Sequence, residues 1–386
     1  MRILTVGGGS GGHVTPVLAV INELSRLDPH LEVMFVCDKA FESQSRGLMK
    51  HAAIPVAIKT ITAGKFRRYH GESRLDRLLD VSTISRNIVD VFKVMIGFFQ
   101  SVYRIIVFRP SVIFAKGGYV CLPMGMAAKV CGVPLVVHDS DARPGLTNRV
   151  LSRWATSIGT GSPLANYPYN HAISQYVGVP IDPHFHPYSD EEKQAAKLAI
   201  GVIDSTKPLL VVTGGGLGAT SINKAVISIA DQLIAAGFEI YHVTGKKHFD
   251  AVSAKAPHHA AYHGVPFVFK EMDIVLGAAD IVISRASATF IQELAALQKP
   301  VILIPAKQLG DQIKNALVYQ EADAAVVLSD EAIATPKVLL KAIQALRSDT
   351  AAAEAMAQRL HVFAKPDAAL DVAGLIVKAV SQQGRA

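Results

Sequence analysis

Short apolar runs alternate with longer amphipathic stretches along most of the chain. Apolar residues of one helical face recur over residues 14–27, at Val17, Leu18, Ile21 and Leu24. The runs are predicted to be buried strands at residues 2–6, 33–37, 112–115, 135–138, 209–213, 240–244, 281–284 and 301–305. Strands that alternate with helices indicate parallel sheets with crossover connections. The pattern therefore predicts an α/β protein.

Two glycine-rich turns divide the pattern into similar halves. The first reads VGGGSGGHVTP over residues 6–16, and the second reads TGGGLGATSIN over residues 213–223. Each follows a predicted strand and opens a helix, where unpaired backbone N–H groups favour an anion. A chain of 386 residues is long enough for two cores. We expect two doubly wound domains, joined by the proline-rich residues 177–193.

The composition restricts the classes of ligand that the protein could bind but does not identify the ligand. The net charge of +7 favours phosphates or anionic lipid, but no basic and aromatic motif typical of nucleic-acid binding occurs. Three cysteines without a CxxC pair suit a reducing compartment, and the start of the chain shows no secretory signal. We therefore expect a cytoplasmic protein with phosphate-bearing ligands.

One stretch is apolar enough to interact with a membrane. Residues 88–108 are rich in Ile, Val, Met and Phe, but Asp90, Lys93 and Arg104 interrupt them, so we expect no membrane span. Basic and aromatic side chains precede this stretch over residues 63–77. The pattern fits two interpretations. Residues 65–108 could dock on an anionic bilayer, or they could form a core helix behind a solvated basic loop.

Several chemistries fit single motifs. Gly7-x-Gly9-x-x-Gly12 with Asp38 after the next strand matches a dinucleotide site, but no dehydrogenase constellation accompanies it. Asp139-Ser140-Asp141 has the form of a divalent-metal carboxylate pair, which is common by chance. His13 could act as a general base or could cap the helix. A helix N-terminus keeps an imidazole neutral and able to accept a proton, as a general base must.

Several motifs in a fixed order resemble the MurG family of bacterial glycosyltransferases. They are GGGSGGHVTPVLAV, AKGGYVCLP, GLTNR, TGGGLGA and SRASATFIQELAAL followed by GDQIKNA. The resemblance covers nearly the whole chain. It implies the GT-B fold, in which two Rossmann-like doubly wound parallel-sheet domains face a cleft. Residues 1–180 would form the acceptor and membrane-binding domain and residues 181–365 the UDP-sugar domain, and residues 366–386 would form a helix that crosses back.

The resemblance also implies roles for individual residues. His13 matches the base that deprotonates the acceptor's C4 hydroxyl, and Glu293 would bind the ribose hydroxyls, because a carboxylate accepts two hydrogen bonds. The remaining matches to substrate-binding positions are Ser10, Gly11, Gly12, Asp141, Asn148, Gly216, Phe269, Ala288, Thr289, Phe290, Ile291, Gln292 and Gln312. No metal ligand and no cofactor is implied.

The implied activity is inverting transfer of N-acetylglucosamine from UDP-N-acetylglucosamine to lipid I, the undecaprenyl-linked muramyl-peptide acceptor, at the cytoplasmic face of the membrane. The product, lipid II, serves peptidoglycan synthesis, and other cell-wall proteins are possible partners. Alternatives are a glycosyltransferase acting on diacylglycerol, a UDP-sugar 2-epimerase and a non-catalytic binding subunit.

The chain departs from the family pattern at three sites. His138-Asp139-Ser140-Asp141 stands where His-Glu-Gln-Asn is usual, so that a carboxylate replaces an amide expected near the reacting sugars. Asp182 replaces an arginine, and Gly216-Leu217 replaces Ser-Gln.

Overall fold

The computed structural model describes residues 1–8, 14–65, 81–215, 218–268, 271–307 and 309–383. The chain divides into two compact units. Unit 1 comprises Met1–Asp182 and Lys365–Ala386, and unit 2 comprises Pro183–Ala364. The chain thus leaves unit 1 once and returns to it for its last segment.

Unit 1 is built on a parallel sheet. Its strands in the described residues are β1 (Arg2–Val6), β2 (Glu32–Cys37), β3 (Val56–Thr60), β4 (Val112–Ala115), β5 (Leu135–Asp139), β6 (Ser157–Thr160) and β7 (Ser174–Tyr176). Their order across the sheet is β3-β2-β1-β4-β5-β6-β7. Leu4 of the central strand β1 lies opposite Met34 of β2 and Ile113 of β4. The helices that connect these strands are α1 (Thr15–Leu27), α2 (Glu42–Met49), α3 (Val81–Phe108), α4 (Cys121–Val130) and α5 (Leu146–Leu151).

Unit 2 repeats this architecture. Its strands among the described residues are β8 (Leu209–Thr213), β9 (Glu239–Val243), β10 (Tyr262–Val265), β11 (Ile281–Ser284), β12 (Val301–Leu303) and β13 (Val326–Val327). They pair in parallel in the order β10-β9-β8-β11-β12-β13. The helices are α6 (Asp190–Ala199), α7 (Thr220–Ile227), α8 (Ala230–Ala235), α9 (Phe249–Ser253), α10 (Met272–Gly277), α11 (Ala288–Ala296), α12 (Gly310–Glu321), α13 (Pro336–Ser348) and α14 (Thr350–His361).

The last helix, α15 (Ala368–Gln383), packs on α1 and on the sheet of unit 1. Short 3-10 turns complete the described secondary structure, at Lys39–Phe41, Leu164–Asn166, His171–Ile173 and Ala332–Ala334. Helix α15 lies within residues 366–386, the segment for which the sequence analysis expected a last helix, and residues 384–386 lie outside the described residues.

Both faces of each sheet are covered. In β1, Ile3 belongs to an apolar cluster that includes Val17 of α1 and Ile376 of α15. The next residue, Leu4, belongs to a cluster on the opposite face that includes Met124 of α4. Strands buried on both faces read as continuous apolar runs, which is why these strands were recognisable in the sequence.

The predicted α/β fold with two doubly wound parallel sheets is confirmed. The runs predicted at residues 2–6, 112–115, 209–213 and 281–284 coincide with β1, β4, β8 and β11. Five strands were missed, namely β3, β6, β7, β10 and β13. Most of them are short or lie toward the sheet edges, and sequences such as SIGT, SQY and YHGV contain too few apolar residues to stand out.

Helix α3 exposes most of its apolar side chains. A narrow stripe that includes Val94, Ser101 and Ile105 is buried, whereas Phe92 and Phe99 are more than half exposed. Over Asn87–Phe108 the helix is long and apolar enough to cross a membrane, by length and composition alone, and 22% of that stretch is buried. The observed exposure does not fit a core helix.

We expect Ile376→Ala to lower the free energy of unfolding of unit 1 by about 2–5 kcal/mol, because it removes fully buried methyl groups and leaves a cavity. Leu370→Ala, on the same helix at an exposed position, is the matched control and is expected to change it by less than about 1 kcal/mol. Urea unfolding followed by the fluorescence of Trp154, the single tryptophan, reports on unit 1. Equal losses in the two variants would contradict the packing of α15 on this unit.

Candidate active site

The loops that contain the sequence motifs after β1 and β4 begin at the carboxyl edge of the unit 1 sheet. The strand order reverses between β1 and β4, and ligands of open parallel sheets bind where the order reverses. Gly7 and Gly8 follow β1, and Lys116 and Gly117 follow β4. The backbone N–H of Lys116 donates to the Val6 carbonyl (3.0 Å), which keeps the two loops adjacent at their start.

The loop after β4 approaches α5 closely. Gly117 has a φ of +105°, which favours glycine, and a Cβ there would lie 3.1 Å from Asn148 Nδ2. Asn148 is buried, and its Nδ2 lies 3.5 Å from the His138 carbonyl. Within the described part of the chain Asn148 Oδ1 has no hydrogen-bond partner. Asn148, predicted from the sequence to bind substrate, therefore lies at this edge.

The end of β5 carries the most perturbed carboxyl group of unit 1. Asp139 is buried and accepts a hydrogen bond from the Tyr169 hydroxyl (2.6 Å). Burial and then the negative charge of Asp141 raise the pKa of Asp139 to about 7, against the opposing effects of Tyr169, Asn148 and Lys116. Asp141 is half-buried two residues further on, and its carbonyl accepts from the Tyr167 hydroxyl (2.5 Å). The predicted position 141 thus belongs to a rigidly held polar segment.

Asp139 and Asp141 are the two carboxylates of the segment that has the form of a metal-binding pair. Within the ranges that the structure describes, no three His, Cys, Asp or Glu side chains are grouped so that they could hold one metal ion. The buried ammonium group of Lys116 interacts electrostatically with both Asp141 and Asp139. Lys116 had no predicted role, although its place directly between an apolar strand and a Gly-Gly pair is visible in the sequence.

The carboxyl edge of the unit 2 sheet is the second candidate region. Here the strand order reverses between β8 and β11. Thr213 ends β8, and its Oγ1 accepts from the Gly215 N–H (3.1 Å). Gly218 has a φ of +75°, and a Cβ on it would lie 2.4 Å from the Thr244 carbonyl oxygen. The glycine turn is therefore closely packed where it leads into α7.

Arg285 connects the segment that follows β11 to the segment that follows β8. Its guanidinium donates to Asp330 Oδ1, to the Ile304 carbonyl and to Ser221 Oγ, each at 2.9 Å. Ser221 in turn donates to Asp330 Oδ1 (2.7 Å). Because Ser221 lies in the first turn of α7, this network fixes the helix that follows the glycine turn. Arg285 lies in the SRASATFIQELAAL motif but had no predicted function.

The predicted nucleotide-binding residues begin α11. Thr289, Ile291 and Gln292 are buried, and Ile291 belongs to the apolar core of unit 2. The side chains of Ala288, Phe290 and Glu293 are partly exposed and lie in the first two turns of the helix. On α12, Gln312 Oε1 accepts from the Ala306 N–H (3.0 Å), which fixes this side chain near the end of β12.

Several predicted site residues lie outside the described residues, namely Ser10, Gly11, Gly12, His13, Gly216 and Phe269. Their roles stay predictions, as do those of the described positions. Both glycine turns nevertheless begin and end at described residues, and these place the turns at the carboxyl edges of the two sheets.

Two family models match the chain, one in its N-terminal half and one in its C-terminal half. Residues 3–160 match the glycosyltransferase family 28 N-terminal domain, and residues 209–372 match the glycosyltransferase family 28 C-terminal domain.

Curated relatives match along nearly their whole length. A UDP-N-acetylglucosamine--N-acetylmuramyl-(pentapeptide) pyrophosphoryl-undecaprenol N-acetylglucosamine transferase from Clostridium kluyveri is 33% identical over 348 residues, covering 89% of this chain and 91% of its own. A transferase of the same name from Symbiobacterium thermophilum is 29% identical and covers 100% of this chain and 98% of its own.

Solved structures share the fold. The crystal structure of Acinetobacter baumannii MurG superposes with a TM-score of 0.71 at 24% identity, covering 98% of this chain and 99% of that one. A UDP-GlcNAc 2-epimerase from Neisseria meningitidis superposes with a TM-score of 0.65 at 13% identity, covering 98% and 100%. The epimerase likeness concerns the fold alone. The identity and coverage of the curated relatives decide the family: this chain belongs to the MurG family of glycosyltransferase family 28.

Proposed function

We infer that this chain transfers N-acetylglucosamine from UDP-N-acetylglucosamine to the C4 hydroxyl of lipid I and so forms lipid II for peptidoglycan synthesis, the process on which cell shape and division depend. The observation that carries the inference is the match to the Clostridium kluyveri transferase over about nine-tenths of both chains. The proposed reaction is a single inverting displacement of UDP by the acceptor hydroxyl.

The donor side of the reaction requires stabilisation of a departing diphosphate. Preorganised N–H donors and helix N-termini stabilise charge that develops in a transition state. The glycine turn between β8 and α7 is suited to this task, because the Arg285 network fixes the first turn of the helix that follows it. We propose that it faces the donor phosphates and that the reaction needs neither a bound metal nor another cofactor.

The acceptor side requires a base. We propose His13 for this role, because it stands between the first glycine turn and α1. A neutral imidazole at a helix start can accept the proton of an attacking hydroxyl.

We expect His13→Ala to lower kcat for transfer to lipid I by about 10²–10⁴-fold, the usual contribution of a general base. The exposed His30, which follows α1, provides the matched control His30→Ala, for which we expect wild-type rates. Labelled sugar transfer from UDP-N-acetylglucosamine to purified lipid I measures both. An unchanged kcat in His13→Ala would rule out this base.

The same assay separates the rival activities. Diacylglycerol offered as the acceptor is expected to give no product, and UDP-N-acetylglucosamine alone is expected to give no 2-epimer. Excess EDTA is expected to leave the rate unchanged. Transfer only to diacylglycerol, or epimerisation without transfer, would contradict the proposed function.

We propose that Glu293 binds the ribose hydroxyls of the donor. We expect Glu293→Gln to raise KM for UDP-N-acetylglucosamine by about 10- to 100-fold, since hydrogen bonds to a charged group contribute about 1.5–3 kcal/mol. KM for lipid I is expected to stay within about twofold of wild type. Glu321→Gln, at an exposed position on α12, is the control. An equal rise in both KM values would contradict a donor-specific role.

We also propose that the protein binds peripherally to an anionic membrane at the cytoplasmic face, through α3. The exposed apolar residues of this helix are Ile88, Val89, Val91, Phe92, Met95, Ile96, Phe99, Tyr103, Ile106 and Val107. Such a continuous apolar surface is costly in water and favours burial at a lipid interface. Lys65 precedes the helix at an exposed position, and the further basic residues 67, 68, 74 and 77 lie outside the described residues.

For the double variant Phe92→Asp and Phe99→Asp we expect at least about tenfold weaker binding to phosphatidylglycerol vesicles, because it removes two apolar side chains from the lipid interface. Leu198→Asp with Ile203→Asp, two exposed apolar residues of unit 2, is the matched control. Vesicle co-sedimentation measures both, and a triple Lys65→Glu, Arg67→Glu, Arg68→Glu variant tests the basic segment. Unchanged binding in the Phe92 and Phe99 variant would exclude α3 as the docking surface.

A further inference from the structure

Lys116 is a buried cation that the proposed reaction does not use. Its side chain is 1% exposed, and its Nζ donates a hydrogen bond to Ser140 Oγ. Burying an ammonium group is costly unless hydrogen bonds and opposite charges compensate it. Asp141 and Asp139 oppose the effect of burial, which lowers the pKa of Lys116 to about 8. At neutral pH the group therefore carries its charge and holds Ser140.

The ring of His138 determines where the Ser140 proton lies. His138 Nε2 is 2.8 Å from the Gly178 carbonyl, which can only accept, so Nε2 carries a hydrogen. Burial, followed by the charge of Lys116, lowers the pKa of His138 well below its usual value, so the ring is neutral and Nδ1 is unprotonated. Ser140 Oγ lies 3.4 Å from Nδ1. The Ser140 hydroxyl thus donates toward His138 while its oxygen accepts from Lys116.

The backbone around Ser140 is fixed on both sides. The Asp139 carbonyl accepts from the Gly161 N–H (2.7 Å), and the Asp141 carbonyl accepts from the Tyr167 hydroxyl (2.5 Å). A Cβ on Gly161 would lie 2.6 Å from the Ser140 carbonyl oxygen, so the segment depends on glycine at that position. Ser140 itself is half-buried at the carboxyl edge of the sheet. The Ser140 hydroxyl is therefore positioned by hydrogen bonds to the carbonyls of both adjacent residues and by its own contacts with Lys116 and His138, and its oxygen keeps one lone pair that these contacts do not use.

We propose that Ser140 accepts a hydrogen bond from a hydroxyl or an amide N–H of a bound sugar and that Lys116 is the residue that positions it. The proposal rests on the proposed function, whose donor and acceptor both carry sugar hydroxyls and acetamido N–H groups. Ser140 stands where a glutamine is usual in the family, and a glutamine both donates and accepts. With its own proton directed at His138, Ser140 only accepts. The site consequently selects substrate groups that donate.

The test varies each substrate separately in steady-state kinetics. We expect Ser140→Ala to raise KM for one of the two substrates by roughly tenfold, the effect of one lost hydrogen bond, with kcat within about twofold of wild type. A rise in KM for UDP-N-acetylglucosamine identifies the donor sugar as the partner, and a rise in KM for lipid I identifies the acceptor. Ser140→Thr keeps the hydroxyl and is expected to restore most of the affinity. Ser25→Ala removes a half-buried hydroxyl on α1 and is the control, with unchanged kinetics.

The positioning role of Lys116 is tested by comparing single and double variants of Lys116 and Ser140. Lys116→Met removes the ammonium group at similar length, and we expect it to raise the same KM as Ser140→Ala. Because Lys116 acts through Ser140, the double variant is expected to be no weaker than the more affected single variant. Additive effects would overturn the positioning role of Lys116. If Lys116→Met does not fold, Ser140→Ala and Ser140→Thr still decide whether Ser140 binds substrate.

Two results would overturn the Ser140 proposal. One is a folded Ser140→Ala protein with both KM values unchanged, and the other is a fall in kcat and thermal stability without any change in KM. Failure of the wild-type protein to transfer sugar would instead refute the proposed function. In that case calorimetric titration of wild type and Ser140→Ala with UDP-N-acetylglucosamine and with a short-chain lipid I analogue decides the proposal, and equal affinities would overturn it.

Discussion

Every strand pair in the described parts of the two sheets is parallel, so each strand must be followed by a crossover before the chain can pair again. All strands of a sheet therefore end at the same edge, and the loops that follow them are brought together there. This constraint places Gly7 and Gly8 after β1 next to the loop that begins with Lys116, and Gly214 and Gly215 after β8 next to the loop that begins with Arg285. The candidate chemistry of each unit depends on this common direction.

The two edges are stabilised by different interactions. In unit 2 the network is a partly buried ion pair, since Arg285 bonds Asp330 and Ser221 at the start of α7. In unit 1 a buried lysine faces two carboxyl groups, and the carboxyl of Asp139 has a pKa of about 7. The acidic residues at 139 and 141 and the basic residue at 116 are thus mutually compensating. The departure from the family's usual His-Glu-Gln-Asn segment alters the charge of the site without leaving an isolated buried charge.

Helix α3 is apolar in composition but is mostly exposed, unlike the strands of the two sheets. The apolar residues of the sheets are enclosed by helices on both faces, whereas most of those on α3 are exposed. Its contact with the rest of unit 1 is close, since a Cβ on Gly97 would lie 1.9 Å from the Thr62 carbonyl oxygen. The contact is also narrow, because it involves only the buried stripe of the helix. A helix that packs along one stripe and leaves the rest apolar is unusual for a protein surrounded only by water.

The sequence by itself determined the fold class, because strands buried on both faces produce continuous apolar runs and the two glycine turns recur at equivalent places. It also identified the motifs that lie at the sheet edges, including Asp141, Asn148 and the start of α11. The missed strands β6, β7 and β10 could not be recognised, since their stability comes from pairing with neighbouring strands rather than from their own apolar residues. Only the tertiary structure decided that Lys116, Ser140 and His138 share one hydrogen-bonded group and that α3 is exposed. The hydrogen-bonded group depends on contact between Lys116 and Ser140, which are distant in the chain, and the composition of α3 is compatible with both a core helix and a membrane-docking helix.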